Sequence, residues 1–237
     1  MSYRRLRRGV FTVAVLVYLA VLPTAAVAAR GSARFEEDEA RAEKAVLALS
    51  DFASGWGQEE SSALPERNEI ARLRAIPECV KDAQRLEIAY KQPNATSPVF
   101  ANSAVEGQKR VTNGVAVYAS VAAAKAALRR YDYPGKATCL KVRNERFHQE
   151  SMQEQGTTDV DLEGVEARKL SSDALGDESV AFQVVSTFNI SGSTVLGYAD
   201  YEQIRLGRHI VTFTFSNVGS AFGAPRERLI RTVLKRL

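Results

Sequence analysis

Residues 178–218 read ESVAFQVVSTFNISGSTVLGYADYEQIRLGRHIVTFTFSNV, and this stretch decides the fold. Val180, Phe182, Val184 and Phe188 alternate with Gln183 and Thr187, and Val211, Phe213 and Phe215 alternate with Thr212 and Thr214. A period of two sends successive side chains to opposite faces, so both runs read as half-buried strands, with a third from Val195 to Leu206 between them. Ser191-Gly192-Ser193 and the Gly207-Arg208 step supply turn chemistry at the joints. The result is an antiparallel meander.

Parity then selects a register, because a slip of one residue reverses every side chain. A two-residue turn at Gly207-Arg208 sets Phe213 and Phe215 opposite Glu202 and Asp200. A three-residue loop, Arg205-Leu206-Gly207 with Gly207 left-handed, sets them with Ala199 and Gly197 and brings Tyr201 level with Val211. The second choice keeps carboxylates off the apolar face and is the expected one.

Working outward, Pro225 stands near the start of a helix with Leu229, Ile230, Val233, Leu234 and Leu237 on one side, suited to cover the meander. Upstream, Ser120 is an expected N-cap for a helix over residues 121–131, carrying Val121, Ala124, Leu128 and Tyr131 at helical spacing. A second helix is expected from Pro134 through Cys139, Leu140 and Val142 to Gln149, with a loop from Glu150 to Thr158. Strands are expected at Val99–Ser103 and Thr112–Tyr118, and Lys91–Pro98 reads as turn. Residues 36–50 and the stretches flanking Pro77 within residues 70–89 read as helix, with Leu49 on the first helix's apolar stripe and a loop at 57–68. Sheet and helices in mixed order make an α+β fold.

The chain of 237 residues, 45% hydrophobic and 25% charged, has the composition of a folded globular protein, which excludes disorder and fibre. Its net charge of +4 raises the question of polyanions. Residues 1–8 carry four arginines and no acid, Val10–Leu22 is apolar, and Ala26-Val27-Ala28 is a small-x-small site. These features predict a signal peptide over residues 1–28, cleaved after Ala28 and followed by one extracytoplasmic domain over 29–237. Without those four arginines the 32 basic residues become 28, equal to the 28 acidic ones, so no basic excess remains to argue for nucleic acid. Membrane contact is then expected only during export, or through the same segment if it stays uncleaved.

Cys79 and Cys139 are the only cysteines, with no C-x-x-C spacing, and predict one structural disulfide in an oxidising compartment. Asp159-Val-Asp161-Leu-Glu163-Gly164 imitates the start of a calcium loop. Leu170 stands where the bidentate Glu is required, so the segment reads as a strand with a wet face. No metal or other cofactor is expected. The two histidines, His148 and His209, lack the orienting partners that general-base work needs, and no serine stands in a nucleophile motif. No catalysis is expected.

Ala48-Leu-Ser-Asp-Phe-Ala-Ser-Gly-Trp56, a cysteine further on, Val115-Ala-Val-Tyr118 before an Ala-rich helix and second cysteine, Leu175-Gly-Asp-Glu-Ser179, the Gly207-Arg208 hairpin and Phe215-Ser-Asn-Val218 occur in that order. Over roughly residues 40–237 the chain resembles exported actinobacterial sensor-domain proteins related to the PknH-like extracellular domain. The resemblance implies an extracytoplasmic α+β domain that binds a small molecule or cell-envelope component without catalysis. Those kinase domains carry two disulfides where this chain can form one, and these 237 residues include no stretch that reads as a kinase domain. The expected ligand cleft lies between the meander face and the Trp56 region, with Trp56, Tyr201, Asp177 and Glu178 as its binding residues. Two alternatives stand beside it: a secreted hydrolase built around Asp173, Asp177, Glu178 and His148, and a surface interaction protein anchored by the N-terminal segment.

Overall fold

A computed structural model of the chain describes residues 33–59, 66–102, 108–156, 159–171, 175–223 and 225–237. The export signal read at 1–28 and the acid Asp173 lie outside these residues. Described helix α1 covers 33–45, followed by a 3-10 turn at Leu49–Asp51. Then come β1 (Gly57–Glu59), α2 (Glu66–Arg74), a 3-10 turn at Pro77–Cys79, α3 (Val80–Ala89), β2 (Asn94–Thr96), β3 (Val99–Asn102) and β4 (Lys109–Val117). Helices α4 (Val121–Tyr131) and α5 (Lys136–Gln155) precede β5 (Val160–Leu170), β6 (Glu178–Ile190), β7 (Ser193–Leu206), β8 (His209–Val218) and α6 (Pro225–Leu234). The fold is α+β, with an antiparallel sheet ordered β1-β3-β4-β8-β7-β6-β5 and β2 paired beside β3 on β4.

Local chemistry accounts for these elements. The Ser120 side chain accepts from the Ala123 amide at 3.1 Å and starts α4 as expected. Helix α5 runs six residues past Gln149, through the segment expected to be loop, and stops where Gly156 takes φ 60°. Helix α1 ends at 45, so Leu49 leaves its stripe and is exposed while Leu47 is buried. Two expected loops contain short strands, β1 and β2, whose lengths are set by pairing with β3 and β4. The calcium-like segment is extended β5, with Asp161 and Glu163 exposed.

The meander is present, but its register corrects the expected one. Leu206 pairs with His209 across a two-residue turn, so Phe213 faces Glu202, Phe215 faces Asp200, and Tyr201 faces Thr214 rather than Val211. Gly207 has φ 56°, a positive value at the first central position, which suits the right-handed twist of a two-residue hairpin. The carboxylates tolerate the apolar face because partners arrive from elsewhere. Arg226 of α6 donates to Glu202 at 2.8 Å, and Gln183 Nε2 donates to Asp200 at 3.0 Å.

Two apolar clusters lie on opposite faces and are offset across the sheet. On one face α1 and α6 pack on Phe100, Val111, Val115, Ile204, Val211, Phe213 and Phe215, which belong to β3, β4, β7 and β8. On the other, α4 and α5 pack on Val165, Val180, Phe182, Val184 and Ile210, weighted towards β5 and β6. A smaller third cluster joins α2 and α3 to the start of α5 around the Cys79–Cys139 disulfide.

Candidate functional site

The diagonal packing leaves part of the α4/α5 face with a polar floor. Thr112, Thr214 and Tyr201 form one cross-strand row there, and Gly114, Thr212 and Gln203 the next. Thr112, Gly114, Thr212, Thr214 and Ser216 are only half-buried although they belong to central strands β4 and β8. Alternation requires this composition: Val211, Phe213 and Phe215 go to the α1/α6 core, so the intervening threonines go here. Gln203 Nε2 donates to Thr212 Oγ1 at 3.2 Å, and Thr112 Oγ1 donates to the Ser97 carbonyl at 3.2 Å.

A basic and aromatic seam borders this floor. The Arg143 guanidinium of α5 lies 4.7 Å from the centre of the Tyr201 ring, and Tyr201 donates to Asn144 Oδ1 at 3.2 Å. Lys136, seven residues earlier on the same helix, is 2% exposed, lies 4.3 Å over Tyr131 and pairs with Asp82 of α3, itself 1% exposed. Arg85, one turn along α3, stands 5.2 Å over the same Tyr131 ring and 3.8 Å from Asp82. Burial pushes the Lys136 amine down to about 7, Asp82 holds it up, and Arg85 and Arg143 push it further down. Burial likewise pushes the Tyr131 and Tyr133 hydroxyls well above the usual phenol range, with the Asp82 charge acting in the same direction. Cys139 Sγ is 3.6 Å from Asp82 Oδ2, so the disulfide and the ion pair together pin α3 to α5.

The residues selected from sequence do not gather in one cleft. Trp56 lies on the α1/α6 face, its ring 4.7 Å from Phe52 and 6.2 Å from Phe222. Tyr201 is on the opposite face, in the seam. Asp177 and Glu178 sit where β6 begins and hold Arg205 at 2.6 and 3.3 Å. Asp177 also accepts from the Gly207 amide at 2.9 Å, and that bond, with Arg205, draws its carboxyl below the usual range. These two acids fix the β7–β8 turn. The sulfur pair Cys79–Cys139 is bonded as expected, and no free cysteine accompanies it among the described residues.

The described members of the hydrolase constellation, Asp177, Glu178 and His148, are dispersed too. His148 Nε2 is 2.9 Å from Ser186 Oγ, with Phe188 edge-on to its ring at 4.9 Å, and burial lowers its pKa. Ser186 is eight residues along β6 from Glu178, roughly 25 Å away. Ser186 is itself buried in mid-strand. Among the described residues no carboxylate orients His148, and no group of three or more His, Cys, Asp or Glu side chains is placed to hold a metal ion.

Sequence reasoning missed Arg85, Lys136, Arg143 and the threonine floor. A signal for the floor was present: Thr212 and Thr214 give β8 a wet face, which is unusual for a strand with neighbours on both sides. For the three cations there was none, since their aromatic partners come from other elements. No protein-family model matches the chain, and no curated protein does.

Proposed function

We propose that this protein is an exported, non-catalytic ligand-binding domain of the cell envelope, of the sensor type that the sequence resembles. Its ligand is a small molecule or envelope component seated on the threonine floor beside Tyr201 and Arg143. The observation that carries this reading is the half-burial of Thr112, Thr212, Thr214 and Ser216 on central strands, where a purely structural sheet buries apolar side chains under helices. Hydroxyls and one glycine make a flat floor of donors and acceptors, and Arg143 and Tyr201 supply a charged, aromatic rim.

Native mass spectrometry of the full-length chain, expressed with its N-terminal segment and purified from culture medium, tests the proposal. The secreted form is expected to begin at Ala29 and to carry a small-molecule adduct. Thr214→Phe, which fills the floor and leaves the cores alone, is expected to remove the adduct while keeping the circular dichroism spectrum. An adduct-free wild type from several hosts, or an adduct that survives Thr214→Phe, would sink the proposal. Retention of residues 1–28 would instead favour an anchored surface protein.

The hydrolase reading draws on the His148–Ser186 contact alone. It predicts that Ser186 is labelled by a fluorophosphonate, whereas the binding reading predicts that it is not.

A further inference from the structure

We propose that His209 is a pH-sensitive latch: it holds the first half of α1 on the sheet at neutral pH and lets it lift away when the ring gains a proton. His209 opens β8, two residues before Val211, so its side chain leaves the sheet on the same face as Val211, the face that α1 and α6 cover. It pairs with Leu206 across the β7–β8 turn and with Val117 of β4. Helix α1 lies over this corner. Its Asp38, Ala42 and Ala45 are buried at helical spacing, and the two alanines share a cluster with Val117 and Val211. Asp38 accepts from both terminal nitrogens of Arg208, from Nη1 at 2.7 Å to Oδ2 and from Nη2 to Oδ1. Arg208 Nη1 also reaches the Tyr118 carbonyl at 3.4 Å. The ring therefore sits where α1 is clasped to the hairpin turn.

Hydrogen bonding sets the charge of the ring. Nδ1 stands 3.1 Å from the Leu206 carbonyl oxygen, which only accepts, so Nδ1 carries the proton and Nε2 is bare. Nε2 is buried with no hydrogen-bond partner, and the residue as a whole is 8% exposed. A neutral imidazole leaves one lone pair unmade there, whereas a protonated one puts a charged N–H into a dry site at much larger cost. From α1 the charged groups that face the ring are Arg41 and Asp38, from the turn Arg208, while β4 and β7 present Val117 and Leu206. Both Asp38 oxygens already accept from Arg208, so the carboxylate nearest the ring is engaged. Burial lowers the His209 pKa, helped by Arg208 and Arg41 and opposed by the Leu206 carbonyl and Asp38. An exposed imidazole titrates near about 6.5, so as pH falls through that value the lifted form gains a proton that the closed form refuses. The closed form loses its advantage as a result. The Arg208 bond holds the Asp38 carboxyl below the usual range, so that pair keeps its charges through the interval and the histidine is the member that titrates.

Hydrogen exchange of the purified full-length chain between about pH 7.5 and about pH 5, with intrinsic amide rates divided out, tests this. Protection of residues 33–42 is expected to fall about fivefold on acidification relative to β6 and β7. His209→Asn, whose amide keeps a donor for the Leu206 carbonyl and never charges, is expected to hold that protection constant. His209→Phe, also uncharged, is expected to do the same and keeps the test open should the asparagine variant unfold. Lys136 and His148 belong to α5 on the opposite sheet face, so their titration is read in α5 peptides rather than in α1. The NMR titration of the His209 ring is expected to have a midpoint below the free value of about 6.5 and to share it with the α1 amide shifts. Protection of residues 33–42 that does not change with pH, or that falls as much in both His209 variants as in the wild type, overturns the inference. So does a ring that titrates at the free value without moving α1.

Discussion

At the scale of single residues, the molecule depends on charges that sit where an apolar side chain is expected. Glu202 is 1% exposed and faces Phe213, and burial raises its carboxyl pKa while Arg226 lowers it. Removing the cation leaves a buried carboxylate unpaired, which costs far more than removing both charges. Arg226→Ala is therefore expected to destabilise the fold by about 3 kcal/mol in urea unfolding. The double variant Arg226→Ala/Glu202→Gln should recover at least half of that loss; equal losses in the single and double variants would show that the pair is not coupled. Lys136 gives a pH signature. Its folded-state pKa, about 7, lies below that of an unfolded lysine, so the unfolded chain binds more protons between about pH 7 and 10. Stability from this residue is thus lowest below pH 7 and rises as the amine loses its proton in the fold. Asp82, Arg85, Arg143 and Tyr131 are the groups that face it. Melting temperature measured from pH 7 to 9 is expected to rise more in the wild type than in Lys136→Met, and identical profiles would refute the assignment.

At the scale of elements, turns carry most of what was legible. The β6–β7 hairpin closes through Ser191 at φ 51° and Gly192 at φ 87°, the two positive angles that a type I′ turn needs. Ser191 is the one described non-glycine residue in that region, so Ser191→Gly is expected to stabilise by about 0.5 kcal/mol, read as a higher denaturation midpoint. Gly176 presents the opposite case. It has φ 76°, and a Cβ there would come within 2.7 Å of the Arg205 carbonyl oxygen and 2.8 Å of Ile204 Cγ2. Gly176→Ala should cost about 3 kcal/mol through strain and overlap, whereas a loss below 1 kcal/mol would mean that the loop simply shifts. The strands of the meander, the N-cap of α4 and the covering role of α6 were all readable from period and punctuation. The register was not. Parity reasoning rejected Glu202 beside Phe213 because it had no way to place Arg226, 24 residues later, against it.

At the scale of the whole molecule, the disulfide joins the α2/α3 layer to α5 over a separation of 60 residues, outside both sheet cores. Cys79→Ala/Cys139→Ala is expected to lose about 4 kcal/mol by the chain-entropy estimate. Hydrogen exchange in that variant should rise first in α2 and α3 and spare β6 to β8, and uniform loss of protection would show that the layer is not a separate unit. The same layer supplies Asp82 and Arg85 to the seam.

The sequence by itself determined the α+β class, the meander, the disulfide and the helix that covers one sheet face, because each rests on local period, turn chemistry or a count of two cysteines. Of the four ligand residues it suggested, only Tyr201 stands at the seam; Trp56 serves the opposite core, and Asp177 and Glu178 hold a turn. Tertiary structure alone decided the register and the offset of the two cores. It alone turned Arg85, Lys136 and Arg143 from ordinary helix charges into a cluster. The reason is physical: a charged side chain's role depends on which partner reaches it, and here the partners come from β7, α4 and a different helix, distances in sequence that no local pattern spans.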